Sequence, residues 1–301
     1  MRQIAERTES VGSFRETLLA YYELTKPGIT LMVLSSMTVG FLLAPTNGID
    51  FIALINAILG TYMIASGTAA HNQYMERNLD KLMIRTSKRP LPMDRVPDVN
   101  ARIFSLSLIF VGLLYLIITV NMVAGLVSLA TSFIYLIFYT PLKQFSFWNV
   151  PIGSVAGALP PVGGWAAATG SIADAGLWVL FLIVFFWQIP HVLSIAWLCN
   201  DDYSKAGFKM LPKRDKTGKA TGIYSLICLV LLLPTVFALY TLGYNSLLYL
   251  IPSVLITLWF AYMGIKFYGD PTKVSAKKLM FASIFYLPSI WITILIDKLF
   301  F

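Results

Sequence analysis

The chain has 301 residues, 57% of them hydrophobic and only 13% charged, with a formal net charge of +8 and a mean hydropathy of +0.72. A soluble domain of this size cannot bury so much apolar surface, whereas lipid solvates the outer face of a multi-span membrane protein. The two cysteines, Cys199 and Cys228, exclude a disulfide framework and a paired-cysteine metal site.

Residues 1–26 mix Arg2, Arg7 and Arg15 with Glu6, Glu9, Glu16 and Glu23. They read as a cytoplasmic N-terminal tail, too polar for a signal peptide and too acidic for a transit peptide. Within it FRETLLAYYEL reads as a short helix along the membrane surface. Residues 27–301 read as one polytopic domain of an all-α integral membrane protein. Nine apolar stretches in it are long enough to span, at about 28–45, 51–71, 102–120, 122–140, 149–169, 176–198, 221–243, 246–268 and 279–297. Val120-Asn121 is all that separates the third from the fourth.

Lysine and arginine alternate between the two sides. The tail has four, the connection after span 2 has seven counted to Arg102, and those after spans 4, 6 and 8 have one, six and, counted from Lys266 at the end of span 8, four. The connections after spans 1, 3, 5 and 7 have none, and Lys298 alone follows the last span. Positive charge stays cytoplasmic, so the N-terminus is expected inside a cell membrane and the C-terminus outside. Basic loops on anionic lipid account for the net charge, and nucleic acid need not be invoked.

Two loops concentrate the cytoplasmic charge: NQYMERNLDKLMIRTSKRPLP (72–92) behind span 2 and CNDDYSKAGFKMLPKRDKTGK (199–219) behind span 6. Each puts carboxylates first and basic residues after, and each then contains a Leu-Pro step (Leu91-Pro92, Leu211-Pro212). This suggests two parallel four-helix halves, spans 1–4 and 5–8, with one helix added. Asn72, Glu76 and Asp80 recur every fourth residue, so if span 2 continues past its apolar part they form a column on one helix face. A solvated helix end would show the same spacing. Asp201 and Asp202, however, occupy the equivalent place behind span 6.

Carboxylates crowded together repel, by about 4 kcal/mol for two charges 4 Å apart at an effective dielectric near 20. A divalent cation removes that cost, and all-oxygen ligands favour Mg2+ or Ca2+, with Mg2+ commonly sharing its shell with phosphate. The neighbouring Arg85, Lys88, Arg89, Lys205, Lys209, Lys213 and Arg214 suit phosphate oxygens, although topology alone would place them there too. Carboxylate, metal and phosphate at the mouth of an apolar bundle point to a charged head with a greasy tail, as in an isoprenyl diphosphate. Its carbon–oxygen bond ionises to an allylic cation, which an apolar, aromatic cavity shields from water.

The Asn72-x-x-x-Glu76-x-x-x-Asp80 string with MIRTSKRPLP resembles the first signature of UbiA-type intramembrane prenyltransferases. The stretches LTKPGITLMVL (24–34), YTPLKQFSFWNVPIGSVAGALPPVGGW (139–165), WQIPHVLSIAW (187–197) and DDYSKAGFKMLP (201–212) resemble the branch that farnesylates haem. The resemblance implies a nine-helix bundle around a central cavity. It implies transfer of farnesyl from farnesyl diphosphate to a vinyl group of protohaem IX, with addition of water and release of haem O for haem-copper oxidases. It implies Mg2+ as cofactor, Asn72, Glu76, Asp80, Asp201 and Asp202 as catalytic residues, and Glu76, Asp80 and Asp202 as metal ligands. Arg85 and Arg89 would bind substrate. Haem-handling partner proteins and membrane lipid are the expected neighbours. The chain departs from the family pattern in carrying Glu76 where Asp is common. It also carries adjacent Asp201 and Asp202 where two acids often stand four apart, and adjacent acids point in different directions on a helix.

His71 and His191 are the two histidines. An ionisable residue at membrane depth is a functional candidate, so His191, behind Pro190, is expected to contact haem through its ring or iron, or else to bond a neighbouring helix. It lies ten residues before Asp201, roughly 15 Å deeper on a continuous helix. His71 is expected at the membrane interface. The run PIGSVAGALPPVGGWAAATG is expected to pack helices closely, with a break at Pro160-Pro161 leaving room for a flat macrocycle. Lys143 is a candidate for a haem propionate or the diphosphate. Three rivals stand beside this reading: a cytochrome holding haem between His71 and His191, a secondary transporter, and a prenyltransferase for an aromatic acid of quinone synthesis.

Overall fold

The computed structural model describes residues 14–211 and 215–300. Arg2, Glu6, Arg7 and Glu9 of the tail, and Pro212, Lys213 and Arg214 of the second polar loop, lie outside the described residues. All regular structure among the described residues is helical. A short helix α1 (Phe14–Leu24) leads into α2 (Pro27–Leu43), α3 (Phe51–Asp80) and α4 (Asp98–Thr119). Then come α5 (Met122–Phe133), a π-helical segment (Ile134–Tyr139), and α6 (Thr140–Phe145), which run on as one rod. The rest is α7 (Asn149–Thr169), α8 (Ala175–Leu198), the short α9 (Asn200–Lys205), α10 (Lys219–Thr241), α11 (Leu247–Gly269) and α12 (Lys273–Phe300).

Side-chain caps set several starts. Asp50, Asn121, Asp174 and Ser246 each accept a hydrogen bond from the backbone N–H two or three residues on, which satisfies donors a helix start leaves open. Before α2, Lys26 adopts the left-handed conformation, φ 48°, and Pro27 begins the helix, where a missing N–H costs nothing.

Seven helices are long and apolar enough to cross a membrane, or eight if α1 and α2, bent by 48°, form one broken span. The chain is thus a multi-pass membrane protein, and its lipid-facing positions carry large exposed side chains such as Ile118 and Val230. Two of the expected spans fall short for physical reasons. Alone, α2 has only 17 residues. The composition of α7 is rich in Gly, Ala and Pro, which lowers its hydropathy, and most of its side chains are buried against other helices rather than lipid.

The main core joins α7, α8, α10, α11 and α12 around Trp165, Leu180, Leu232, Phe260 and Tyr286. Small residues bring α2 and α7 into backbone contact: a Cβ on Gly164 would lie 1.8 Å from the Met37 carbonyl oxygen, and one on Gly40 2.0 Å from that of Pro161. The close-packing reading of the run is therefore correct, while the expected break at Pro160-Pro161 is absent, because α7 continues through both prolines. Likewise α8 continues through Pro190.

The described part of the tail is built into the bundle. Ala20 and Leu24 of α1 pack with Ala70, Leu91, Val96 and Ala101, and the Gln73 amide donates to the carbonyls of Glu23 (3.3 Å) and Leu24 (2.9 Å).

Candidate active site

A cavity of about 470 Å3 is enclosed by α2, α3, the π segment, α7 and α8, with the 81–89 loop and Tyr203, Phe208 and Met210 over its polar end. Helix α3 runs to Asp80, so the column Asn72, Glu76, Asp80 does lie on one buried face and lines the cavity. Each member meets a basic side chain, although burial and the nearby Arg89 push the pKa of the Lys26 ammonium down to about 7. Lys26 Nζ donates to Asn72 Oδ1 (2.8 Å), Lys143 Nζ to Glu76 Oε1 (2.7 Å) and Arg89 Nη1 to Asp80 Oδ2 (2.8 Å). The Asn72 amide in turn donates to Thr140 Oγ1 (3.1 Å), which fixes its orientation.

Arg85 lines the same cavity. Among the described residues the lining therefore carries four basic side chains, Lys26, Arg85, Arg89 and Lys143, against two carboxylates, Glu76 and Asp80. Such a chamber has an excess of positive charge in a low-dielectric wall, which attracts and holds a polyanion. Deeper along the cavity the lining becomes apolar and aromatic, with Met32, Val33, Leu159, Val184 and Trp187. Hydroxyl groups of Ser128, Thr131 and Ser132 interrupt it.

The structure separates the two adjacent aspartates. A turn at Cys199 ends α8, and both acids fall on α9. Asp202 Oδ2 accepts the Arg85 backbone N–H (3.3 Å) while Arg85 Nη2 donates to the Tyr203 hydroxyl (3.2 Å), so α9 holds the first polar loop in place. Burial pushes the Tyr203 phenol up, keeping it neutral. Asp201 points elsewhere, 3.6 Å from Lys273 and 81% exposed. Neither aspartate lines the cavity, and among the described residues no three His, Cys, Asp or Glu side chains stand together as a metal-binding group. One observation nevertheless favours a cation beside α3. Asp80 Oδ1 is buried with no hydrogen-bond partner, an acceptor whose desolvation a metal ion would offset.

His191 lines the cavity seven residues before the end of α8, about 10 Å along the helix. Its ring stacks on Trp187 with centroids 5.2 Å apart, and its Nδ1 lies 2.7 Å from Ser283 Oγ of α12. His71 instead faces α4, with Nδ1 2.9 Å from Ser105 Oγ. It is absent from the cavity wall, which removes the arrangement a bis-histidine cytochrome needs.

Several site residues were not anticipated. In the sequence Lys26 reads only as tail charge, and its place directly before the helix-starting Pro27 is the one local signal. Tyr135 and Tyr139 reach the cavity from the π segment. Pro141 lies just past it and cannot donate to the carbonyl four residues back, and π-helical turns often mark functional sites. The Tyr139 ring also lies against Lys143, 4.5 Å from Nζ. Gly153 and Gly157 of α7 make room for cavity side chains: a Cβ there would lie 2.6 Å from the Tyr139 ring and 2.1 Å from the Gln188 side chain. The small-residue run thus serves packing on one face and the cavity on another.

The profile of the "UbiA prenyltransferase family" matches residues 33–286. A protoheme IX farnesyltransferase of Solibacter usitatus is 39% identical, covering 92% of this chain and 98% of that one. One from Opitutus terrae is 40% identical, with 93% and 95% covered. Among solved structures, a digeranylgeranylglyceryl phosphate synthase superposes with a TM-score of 0.80 at 18% identity, covering 95% of this chain and all of that one. A UbiA homolog from Archaeoglobus fulgidus bound to DMAPP and Mg2+ superposes with a TM-score of 0.62 at 16% identity, covering 92% and 99%. The chain belongs to the UbiA prenyltransferase family.

Proposed function

We propose that this chain is a protohaem IX farnesyltransferase, joining farnesyl diphosphate to a haem vinyl group with addition of water and giving haem O and diphosphate. The observation that carries the reading is the graded cavity: cations and carboxylates at one end, aromatic and apolar walls beyond, and His191 partway in. Curated relatives at 39–40% identity over nearly the whole chain bear the same activity in their names.

Arg85, Arg89, Lys143 and Lys26 bind the diphosphate, and their charge favours its departure from the allylic carbon. Asn72 orders Lys26 beside it. Glu76 and Asp80 line the cavity and would hold Mg2+, which would supply further charge to the leaving diphosphate when bound, whereas Asp202, expected from the sequence as a third ligand, lies outside the cavity wall. Asp202 otherwise acts by positioning Arg85, and Asp201 has an exposed partner in Lys273. The farnesyl tail lies along the apolar wall, where Tyr135, Tyr139 and Trp187 face a forming cation and exclude water. His191 contacts the haem.

The chain sits in a cell membrane with nine spans, the N-terminal tail 1–26 inside and the C-terminus outside. Residues 27–301 form one domain of two four-helix halves and an added helix. Haem-handling partners take the product toward haem-copper oxidases. The test is acceptor choice. Membranes carrying the chain, given farnesyl diphosphate and either protohaem or an aromatic acid, should yield a farnesylated product from protohaem alone. Prenylation of the aromatic acid alone would assign the chain to quinone synthesis instead.

A further inference from the structure

His191 and Ser283 form an ordered relay between α8 and α12. Ser283 is fully buried. Its hydroxyl lies 2.5 Å from the Met280 carbonyl oxygen, which can only accept, so the single hydroxyl hydrogen is committed there. The contact between Ser283 Oγ and His191 Nδ1, 2.7 Å, must then be donated by the imidazole. That fixes the tautomer with the proton on Nδ1. Nε2 is left with its lone pair, without a protein hydrogen bond and open to the cavity the ring lines.

The ring is also held in direction. Trp187 stacks against it at an interplanar angle of 15°, and Trp187 Nε1 donates to the Ser283 carbonyl oxygen (2.7 Å). Ser283 therefore anchors both aromatic neighbours, one through its side chain and one through its backbone. A neutral imidazole whose Nδ1–H is fixed by an acceptor and whose Nε2 is free is the arrangement by which proteins present histidine to a metal.

We infer that His191 Nε2 is an axial ligand of the haem iron and that Ser283 is the residue that positions it. This rests on haem as the acceptor. Ligation seats the macrocycle at a fixed depth and orientation, so that one vinyl edge faces the farnesyl carbon. It also makes metal content a determinant of acceptor recognition, since iron-free protoporphyrin offers the same vinyl groups with no iron to bind.

The test uses purified protein in detergent, titrated with protohaem and separately with protoporphyrin IX. Wild type should give the Soret and ferrous Fe–N(His) resonance Raman signature of a histidine-ligated haem. His191→Ala should abolish that signature and regain binding with added imidazole. Ser283→Ala should weaken haem binding by about tenfold to a hundredfold, the usual loss when a ligand's hydrogen-bond partner is removed, and shift the Fe–N frequency. Ser283→Thr, which keeps the hydroxyl, should resemble wild type. Protoporphyrin affinity should not change in any of the three. An Fe–N signature unchanged in His191→Ala overturns the ligand assignment. Equal loss of haem and protoporphyrin in Ser283→Ala overturns the positioning role, because that pattern reports a repacked pocket. Wild type that binds neither porphyrin would instead defeat the haem reading itself.

Discussion

Removing the Lys143 charge should destabilise the metal-free protein, and Mg2+ should reverse part of the loss. Lys143 Nζ and Glu76 Oε1 lie 2.7 Å apart, with side chains only 13% and 7% exposed. At that separation and an effective dielectric near 20 the attraction is about 6 kcal/mol, much of it spent on desolvating both ions. Lys143→Met leaves the Glu76 carboxylate buried with its nearest cation gone. Breaking one side of a buried pair costs about 3–5 kcal/mol, which at roughly 2–4 °C per kcal/mol is a fall of about 6–20 °C in apparent Tm. The double variant Glu76→Gln/Lys143→Met removes the stranded charge and should recover most of the loss. If Glu76 is a metal ligand, Mg2+ takes the place of the missing ammonium. It should then raise the Tm of Lys143→Met more than that of wild type, and leave the double variant unmoved. The assay is thermal unfolding in detergent followed by tryptophan fluorescence. A Lys143→Met protein that melts with wild type, or a double variant no better than the single, would refute the reasoning.

Asp80→Asn keeps the size of a side chain whose Oδ1 has no partner. It should insert and fold but lose farnesyl transfer by more than a hundredfold, on the scale of a lost transition-state charge interaction; near-normal turnover in a well-inserted variant would remove Asp80 from the reaction. Single cysteines at positions 87 and 217, in a cysteine-free background, should label only from the cytoplasm and one at position 46 only from outside, by the distribution of Lys and Arg. Labelling of position 87 from outside intact cells would invert the topology. Burial alone would raise the Asp215 carboxyl, but hydrogen bonds from Thr221 and Thr217 outweigh it and hold the group below its ordinary value. The folded value lies below the unfolded one, so this contribution is present above the unfolded pKa and lost as pH falls through the folded one. Asp215→Asn should flatten the acid limb of the stability profile, and an unchanged limb would show that these hydrogen bonds contribute nothing there.

The column Asn72, Glu76, Asp80 was legible in the sequence because a helix converts four-residue spacing into one face, whatever surrounds it. Most long helix boundaries were legible for a similar reason, since apolar runs bounded by polar loops fix them within a few residues, but α12 begins at Lys273, ahead of the apolar run from 279, and α3 continues to Asp80, past the run that ends at 71. What escaped was set by tertiary contact. Adjacent Asp201 and Asp202 divide between Lys273 and the Arg85 loop because a turn at Cys199 starts a new short helix, and no local pattern announces that turn. Lys26 belongs to the site only because α1 bends back onto α3 through Gln73. The Pro160-Pro161 break was expected from the lost hydrogen bonds alone, but in the packed bundle α7 continues through both residues. Ser283 lies 92 residues from His191 in sequence, and nothing in its own neighbourhood marks it.

Haem farnesylation is tested most directly by product formation from the purified chain with Mg2+, farnesyl diphosphate and protohaem in heavy-oxygen water. The product should be a haem heavier by one farnesyl group and one hydroxyl, with the heavy oxygen in that hydroxyl, and none should form when Mg2+ is chelated. A farnesylated haem without solvent oxygen would contradict the addition of water at the vinyl group. A chain that leaves protohaem unchanged while prenylating another acceptor would contradict the function.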